Sequence, residues 1–247
     1  MPFTPSIYLD YNATAPVIPA VADAMREALC QPANASSVHG FGRAARKRLE
    51  DARANLAEHL SVFPREIVFT ASGTEANNLA LHAFAQENRL VSAIEHPSIL
   101  QLAGAENRIP VNANGEILTE ALEVMLATRV AQADGAPVVV SVMLANNETG
   151  VIQPIAEISH IVHRYPNAFL HVDAVQAMGK MPLDAGVLGC DLMTLSFHKC
   201  GGPVGVAALV VREKTPLLPL LKGGGQEQGR RAGTENIAAL AGLSALL

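Results

Sequence analysis

The sequence of 247 residues predicts an α/β protein whose core is a mainly parallel, seven-stranded sheet between layers of helix. Short apolar runs alternate with helical patterns along the chain, several runs are continuous rather than alternating, and 49% of the side chains are hydrophobic. Continuous apolar runs suit strands buried on both faces, and the interleaved helices supply the cover.

Taken in order, helical periodicity predicts helices over 20–28 and 42–60, and the first apolar run predicts a strand over 67–70. A helix over 74–86, a strand over 90–94, a helix over 97–103 and a strand over 108–111 follow. Next come a helix over 119–131, a strand over 138–144, a helix over 154–165 and a strand over 168–173. Two further apolar runs predict strands over 191–196 and 204–211. Gly223, Gly224, Gly225 and Gly229 mark a loop before a last helix over 236–246.

The net charge of −5 argues against a nucleic-acid footprint. Arg43, Arg46, Lys47 and Arg48 stand among Glu50, Asp51 and Glu58, the pattern of a solvated helix face. No segment approaches 18 uninterrupted apolar residues, and residues 1–9 do not read as a leader, so no membrane partner and a cytoplasmic location are expected. Cys30, Cys190 and Cys200 lack the spacing of a disulfide framework or a zinc motif, so no metal is expected.

In such sheets ligands bind beyond the carboxyl ends of the strands. Residues 70–75, Glu95 with His96, Asn146 with Asn147, Asp173, and 196–199 each follow a predicted strand, which would bring five polar groups to one rim. A lysine there, with an acid, an amide and a histidine at neighbouring strand ends, suits imine formation with an aldehyde cofactor, pyridoxal phosphate. Lys199 is the expected nucleophile, since burial and a nearby cation disfavour its charge.

Asp173 follows Phe169, Leu170 and Val172 on a strand and should be buried, so it must be paired or protonated. A pyridinium nitrogen would suit it: at about 3 Å and an effective dielectric near 20 the attraction is roughly 5 kcal/mol before desolvation. The plainer alternative is that Asp173 caps the next element. Gln176 shares its face if a helical turn follows the strand, and its amide would donate to the ring's phenolic oxygen. Asn147 would serve the same oxygen or a substrate carboxylate. His96 is placed to stack on the ring and relay protons. His171 reads as a core residue, and His59, His82, His160 and His163 as surface ones. The N–H groups of Gly73 and Thr74, at a helix start, and the side chains of Ser196 and His198 are expected donors to a phosphate. Taken alone, Ser72-Gly73-Thr74-Glu75 would be a capped turn.

These residues sit in ordered motifs: Tyr8-Leu9-Asp10-Tyr11-Asn12-Ala13-Thr14, Thr74-Glu75 with Asn77-Asn78, Glu95-His96-Pro97, Ala145-Asn146-Asn147-Glu148-Thr149-Gly150, His171 to Gln176, Ser196 to Lys199, and Gly229-Arg230-Arg231-Ala232-Gly233-Thr234-Glu235-Asn236. The chain thereby resembles the cysteine desulfurases, pyridoxal-phosphate enzymes related to class-V aminotransferases, and within them the branch that supplies iron–sulfur clusters, nitrogenase-associated members included. The resemblance implies pyridoxal 5'-phosphate held by Lys199 as a Schiff base, with His96 as the ring-stacking acid/base and Asp173 on the pyridinium. It places Gln176 and Asn147 near the phenolic oxygen and Gly73, Thr74, Ser196 and His198 on the phosphate. Thr234 would reach the phosphate of a second subunit, implying a homodimer. The implied reaction turns L-cysteine into L-alanine and passes sulfur through a persulfide to an acceptor or scaffold protein.

The same resemblance implies the large domain of fold type I and divides the chain into an N-terminal segment, 1–15, and a cofactor-binding large domain, 16–247, incomplete at its C-terminal end. The C-terminal small domain, with the sulfur-accepting cysteine and a substrate-binding arginine, is expected to be missing, so that this chain alone is not expected to complete persulfide transfer. Phe197 stands where the family has glycine or alanine, so its ring is expected beside the cofactor loop. Cys30 and Cys190 read as packing residues, and Cys200 as a neighbour of Lys199 that points elsewhere. A selenocysteine lyase, another class-V enzyme, and a non-catalytic truncated dimer partner are the alternatives.

Overall fold

The computed structural model describes residues 7–247; residues 1–6 of the expected N-terminal segment lie outside the described residues. Two helices come first, α1 (Pro19–Leu29) and α2 (Gly40–His59), followed by β1 (Ile67–Thr70), α3 (Gly73–His82), β2 (Arg89–Ser92), α4 (Pro97–Leu100) and β3 (Arg108–Ile109). Then come α5 (Thr119–Gln132), β4 (Val138–Met143), α6 (Ile155–Val162), β5 (Ala168–Asp173), α7 (Ala185–Leu188), β6 (Leu192–Ser196), β7 (Ala207–Val211) and α8 (Ile237–Leu246).

The seven strands form one sheet in the order β1-β7-β6-β5-β4-β2-β3. Only β7 runs against its neighbours β1 and β6. The connection from Ser196 to Ala207 is too short for a helical crossover, so the chain returns antiparallel. With β7 reversed, β1, β6, β5, β4 and β2 all end on the same rim, which is where the sequence placed its polar groups.

Side chains alternate between two cores along every strand. On one face Phe69, Val140, Val142, Leu170, Val172, Met193, Leu195 and Val210 join residues of α2, α5, α6 and α8. On the other, Val68, Val91, Val139, Leu192 and Leu209 pack under α3 and α4. This second face also buries Ser141, His171 and Thr194, which satisfy one another: Ser141 Oγ lies 2.8 Å from His171 Nδ1, and His171 Nε2 lies 3.0 Å from Thr194 Oγ1. His171 is thus the core residue the sequence suggested, and burial pushes its imidazole down to about 3.

The edge strand β1 is closed by side chains. Glu227 accepts the Phe69 N–H at 2.9 Å, and Arg53 and Arg230 each donate to the Ile67 carbonyl at 2.9 Å. Arg53 and Glu227 also bond each other through two 2.8 Å contacts. Side chains here take the place of a further strand and keep the edge from pairing with another chain. At the far end, α8 crosses α1 closely: a Cβ on Gly242 would fall 2.7 Å from Met25 Cγ.

Several boundaries differ from expectation. Helix α3 stops at His82 instead of continuing to 86, because Phe84 turns into the core against Phe169, with ring centroids 5.8 Å apart, and Arg89 captures the Phe84 carbonyl. Helix α4 ends at Leu100 and α6 at Val162, both short of the periodic pattern. Strand β7 begins at Ala207, since Gly205 turns with φ +83 and Val204 is exposed. The sequence reading missed α7, which Asp184 caps by accepting from Val187 N–H and Gly189 closes with φ +63.

Candidate active site

A cavity of about 570 Å³ opens on the rim where the parallel strands end. It is lined by Gly73, Thr74, His96, Asn147, Asp173, Gln176, Ser196, His198 and Lys199, so nine of the ten predicted site residues meet in one place. Lys199 and Asp173 thus share one cavity of a size suited to a small cofactor.

Each wall has a local cause. Ser72 caps α3 by accepting from Glu75 N–H at 3.2 Å, which turns the first amides of a 10-residue helix toward the cavity. A Cβ on Gly73 would sit 3.2 Å from Val175 Cγ2 and 3.4 Å from Ser196 Cβ, so the wall is closed by the lack of a side chain there. After β4, Asn146 Oδ1 accepts from the N–H groups of Glu148 and Thr149, both at 2.9 Å, and holds the turn that presents Asn147. The side chain of Asn147 has no hydrogen-bond partner in the protein among the described residues. The segment from Asp10 to Thr14 covers one side: Asn12 donates to the Asn147 carbonyl at 3.0 Å, and Ala15 N–H donates to the His198 carbonyl at 2.8 Å.

Asp173 is buried and does cap the next element, the plainer of the two readings. One oxygen caps the turn after β5, accepting from Val175 N–H at 3.0 Å, and the other accepts from Asn77 Nδ2 at 2.8 Å. Burial nonetheless raises its carboxyl above the usual range, against the opposing pull of Asn77, Val175, His96 and Lys199. Lys199 is lowered by burial, with Asp173 working against the shift and Lys180 adding to it. His198 is lowered by burial and by Lys199, and its Nδ1 lies 3.1 Å from Thr14 Oγ1. A turn does follow β5, and it brings Gln176 to the cavity. One of its amide hydrogens is already spent on the Asn12 carbonyl at 2.9 Å, while its oxygen accepts from Lys180 at 2.7 Å.

Three residues of this rim had no role in the sequence reading. Asn77 and Ser98 link His96 to Asp173, and Glu95 lies buried behind them. Glu95 Oε1 accepts from the Met143 N–H, its Oε2 has no partner, and burial together with Asp173 holds it well above the ordinary carboxyl range. A buried acid with that neighbour stays protonated.

The tenth residue, Thr234, does not reach the cavity. It is exposed in a separate groove of about 180 Å³ with Arg231 and Asn236. Arg231 fixes that loop beside α3 through Glu75, at 2.6 Å. Phe197 also departs from expectation: its ring is fully buried in the core of Met193 and Leu195 and stands clear of the cavity. Cys30 is exposed, which overturns its reading as a packing residue. Cys190 is buried with its thiol pushed up to about 12 by burial and Asp191, and Cys200, raised by burial, bonds the Phe197 carbonyl at 3.2 Å and does not line the cavity. Among the described residues no cluster of metal-binding side chains occurs, and no helix is long and apolar enough to cross a membrane.

A mainly parallel sheet whose rim cavity is lined by a lysine of lowered basicity, a buried carboxylate and a glycine-walled helix N-terminus defines an enzyme fold built around an anionic aldehyde cofactor. The chain belongs to the class-V aminotransferase family, which it matches over residues 7–247. Among curated relatives it is 38% identical to the cysteine desulfurase IscS of Dictyoglomus turgidum, over 96% of this chain and 62% of that protein, and 41% identical to cysteine desulfurase IscS 1 of Archaeoglobus fulgidus, over 95% and 63%. The chain therefore spans less than two thirds of those relatives. Among solved structures it superposes on a NifS-like protein from Rickettsia africae with a TM-score of 0.89 at 40% identity, covering 97% of this chain and 67% of that one. It also superposes on SspA in complex with cysteine with a TM-score of 0.85 at 31% identity, covering 98% and 72%. The cofactor of this family is pyridoxal phosphate, and the donors of the cavity fit it: an acceptor for a ring nitrogen, an amine, and a glycine-walled anion site.

Proposed function

We propose that the chain carries the cofactor-binding and reacting half of a cysteine desulfurase, which converts L-cysteine to L-alanine and releases sulfur at the zero-valent level to a thiol acceptor of iron–sulfur cluster assembly. The convergence of Lys199, Asp173, His96 and the α3 N-terminus on one cavity carries this reading. Bound there, pyridoxal phosphate supplies an electron sink for the carbanionic charge that forms beside a substrate amine.

The protein's own residues divide the remaining work. Gly73, Thr74, Ser196 and His198 hold the phosphate, the first two through backbone amides at the helix start. Asp173 would hold the ring nitrogen of the cofactor, since its buried carboxylate accepts only neutral hydrogen bonds, from Val175 and Asn77. Lys199 would hold the aldehyde, and its amine, of reduced basicity, is able to take and return a proton at the substrate α-carbon. His96, which lines the same cavity, would move a proton at the leaving sulfur. Asn147 and the free hydrogen of Gln176 serve the phenolic oxygen. Thr234, exposed outside its own chain's cavity, serves the phosphate of a second copy in a homodimer. None of the three thiols lines the cavity, so the accepting thiol is none of them.

The test is L-alanine formation from L-cysteine by the cofactor-loaded protein in excess dithiothreitol, which reduces the zero-valent sulfur to sulfide as it becomes a disulfide. Stoichiometric alanine and sulfide, lost in Lys199→Ala, are expected. Pyruvate as the product, or equal turnover of L-serine, would contradict the reading.

A further inference from the structure

His96, Ser98, Asn77 and Asp173 form a hydrogen-bonded chain whose direction is fixed at one end. An ionised carboxylate only accepts, so the 2.8 Å contact with Asp173 Oδ2 sets the Asn77 amide with Nδ2 toward β5. The second hydrogen of that nitrogen meets Ser98 Oγ at 2.9 Å. Ser98, already an acceptor, has its own proton left for His96 Nδ1, 2.8 Å away. The Ser98 backbone N–H, which can only donate, lies 3.2 Å from the same nitrogen.

Two donors on Nδ1 require that nitrogen to be bare, so the proton of the neutral imidazole sits on Nε2. Nε2 makes no hydrogen bond to the protein among the described residues, and the ring lines the cavity. The buried Oδ1 of Asn77 is left without a partner. Reversing the amide would pair that oxygen with the Ser98 hydroxyl, but only by setting it against Asp173 Oδ2, acceptor to acceptor. An unpartnered oxygen is retained because the carboxylate dictates the orientation.

We propose that Asn77 and Ser98 are positioning residues that transmit the ionised state of Asp173 to His96 and lock its imidazole as the Nε2–H tautomer. The use made of that tautomer rests on the reading of His96 as the ring-facing acid/base. The tautomer itself is a property of the polypeptide. A cation held at Asp173 keeps the carboxylate ionised, so filling one end of the cavity orders the proton donor at the other.

The experiment is a two-bond ¹⁵N–¹H correlation spectrum of the whole chain labelled at histidine, with His96 assigned through His96→Gln. A bare Nδ1 and a protonated Nε2 are expected in the wild type. Ser98→Ala should raise the Nδ1–H form about fivefold, the size of one lost hydrogen bond, and Ser98→Thr, which keeps the hydroxyl, should restore the wild-type pattern. Asp173→Asn should produce the same shift from a distance, by freeing the Asn77 amide to reverse. A wild-type His96 protonated on Nδ1 overturns the proposal, as does a pattern unmoved by both Ser98→Ala and Asp173→Asn. The expected pattern in a chain that fails to bind pyridoxal phosphate would confirm the relay and remove the functional reading, so the two failures are distinct.

Discussion

Arg53 with Glu227, and Asp173 with Glu95, are both buried pairs of ionisable groups, and only the first is matched from within. Arg53 and Glu227 are 3% and 5% exposed, bond each other twice and the main chain of β1 as well, and Arg53 Nε donates to Glu50 at 3.1 Å. Asp173 and Glu95 are 6% and 4% exposed, both acids, and both raised, with an oxygen of Glu95 unpartnered. The first closes a sheet edge and holds the loop in which Glu227 and Gln228 take φ values of 48° and 60°, strain that a non-glycine residue accepts only when its surroundings impose it. The second leaves a negative site facing a cavity with a lysine of lowered basicity. Charge satisfied by the chain marks structure, and charge left for a visitor marks function.

Acid should separate the two regions most strongly. His171, beneath Asp173 on β5, is neutral when folded, at about 3, against an ordinary value of 6.5. The unfolded chain binds the extra proton between those values, so stability present above pH 6.5 is lost as pH falls toward 3, by up to about 5 kcal/mol. Denaturant midpoints against pH should show this slope, and His171→Gln should flatten it.

The next largest effect comes from breaking the clamp. Arg53→Ala strands a buried carboxylate and should cost about 3–5 kcal/mol in unfolding free energy. Asp173→Asn, which relieves an unmatched charge, should cost less than about 1 kcal/mol in the cofactor-free protein while abolishing tight cofactor binding. Equal destabilisation by the two would erase the distinction drawn between them.

Gly73→Val is a steric probe of the anion site: the added side chain meets Val175 and Ser196, so it should cost about 1–3 kcal/mol in stability, while titration calorimetry should show cofactor affinity falling about tenfold or more. The smallest effect belongs to Glu95→Gln. Since Glu95 stays protonated when folded and ionises when unfolded, it favours folding below the ordinary value of 4.5 and that contribution fades as pH rises. The glutamine variant should match wild type within about 1 kcal/mol in acid and gain on it above that pH; a variant that lost ground would show Glu95 to be ionised.

Most of the site was legible because strand ends are legible: an apolar run that stops at Asp173 or Ser196 announces both position and exposure. Pair partners distant in sequence were not. Arg53 and Glu227 stand 174 positions apart, on a helix and a loop, with no pattern joining them. Asn77 lies in the second turn of α3 and Ser98 in the first turn of α4, and only the fold brings them between His96 and Asp173. The placement of Phe197 was readable in principle, since Met193, Leu195 and Phe197 share one parity and Thr194, Ser196 and His198 the other. Cys30 misled because thiols are so often buried.

The central claim is that the amine of residue 199 receives an aldehyde cofactor while Asp173 faces the far edge of its ring. Incubation with pyridoxal phosphate, borohydride reduction and peptide mass mapping tests it most directly. The account predicts stoichiometric label on Lys199, little on Lys180 or Lys222, and loss of the label's specificity in Asp173→Asn. Label spread evenly over the lysines, or undiminished total incorporation in Lys199→Ala, would contradict it.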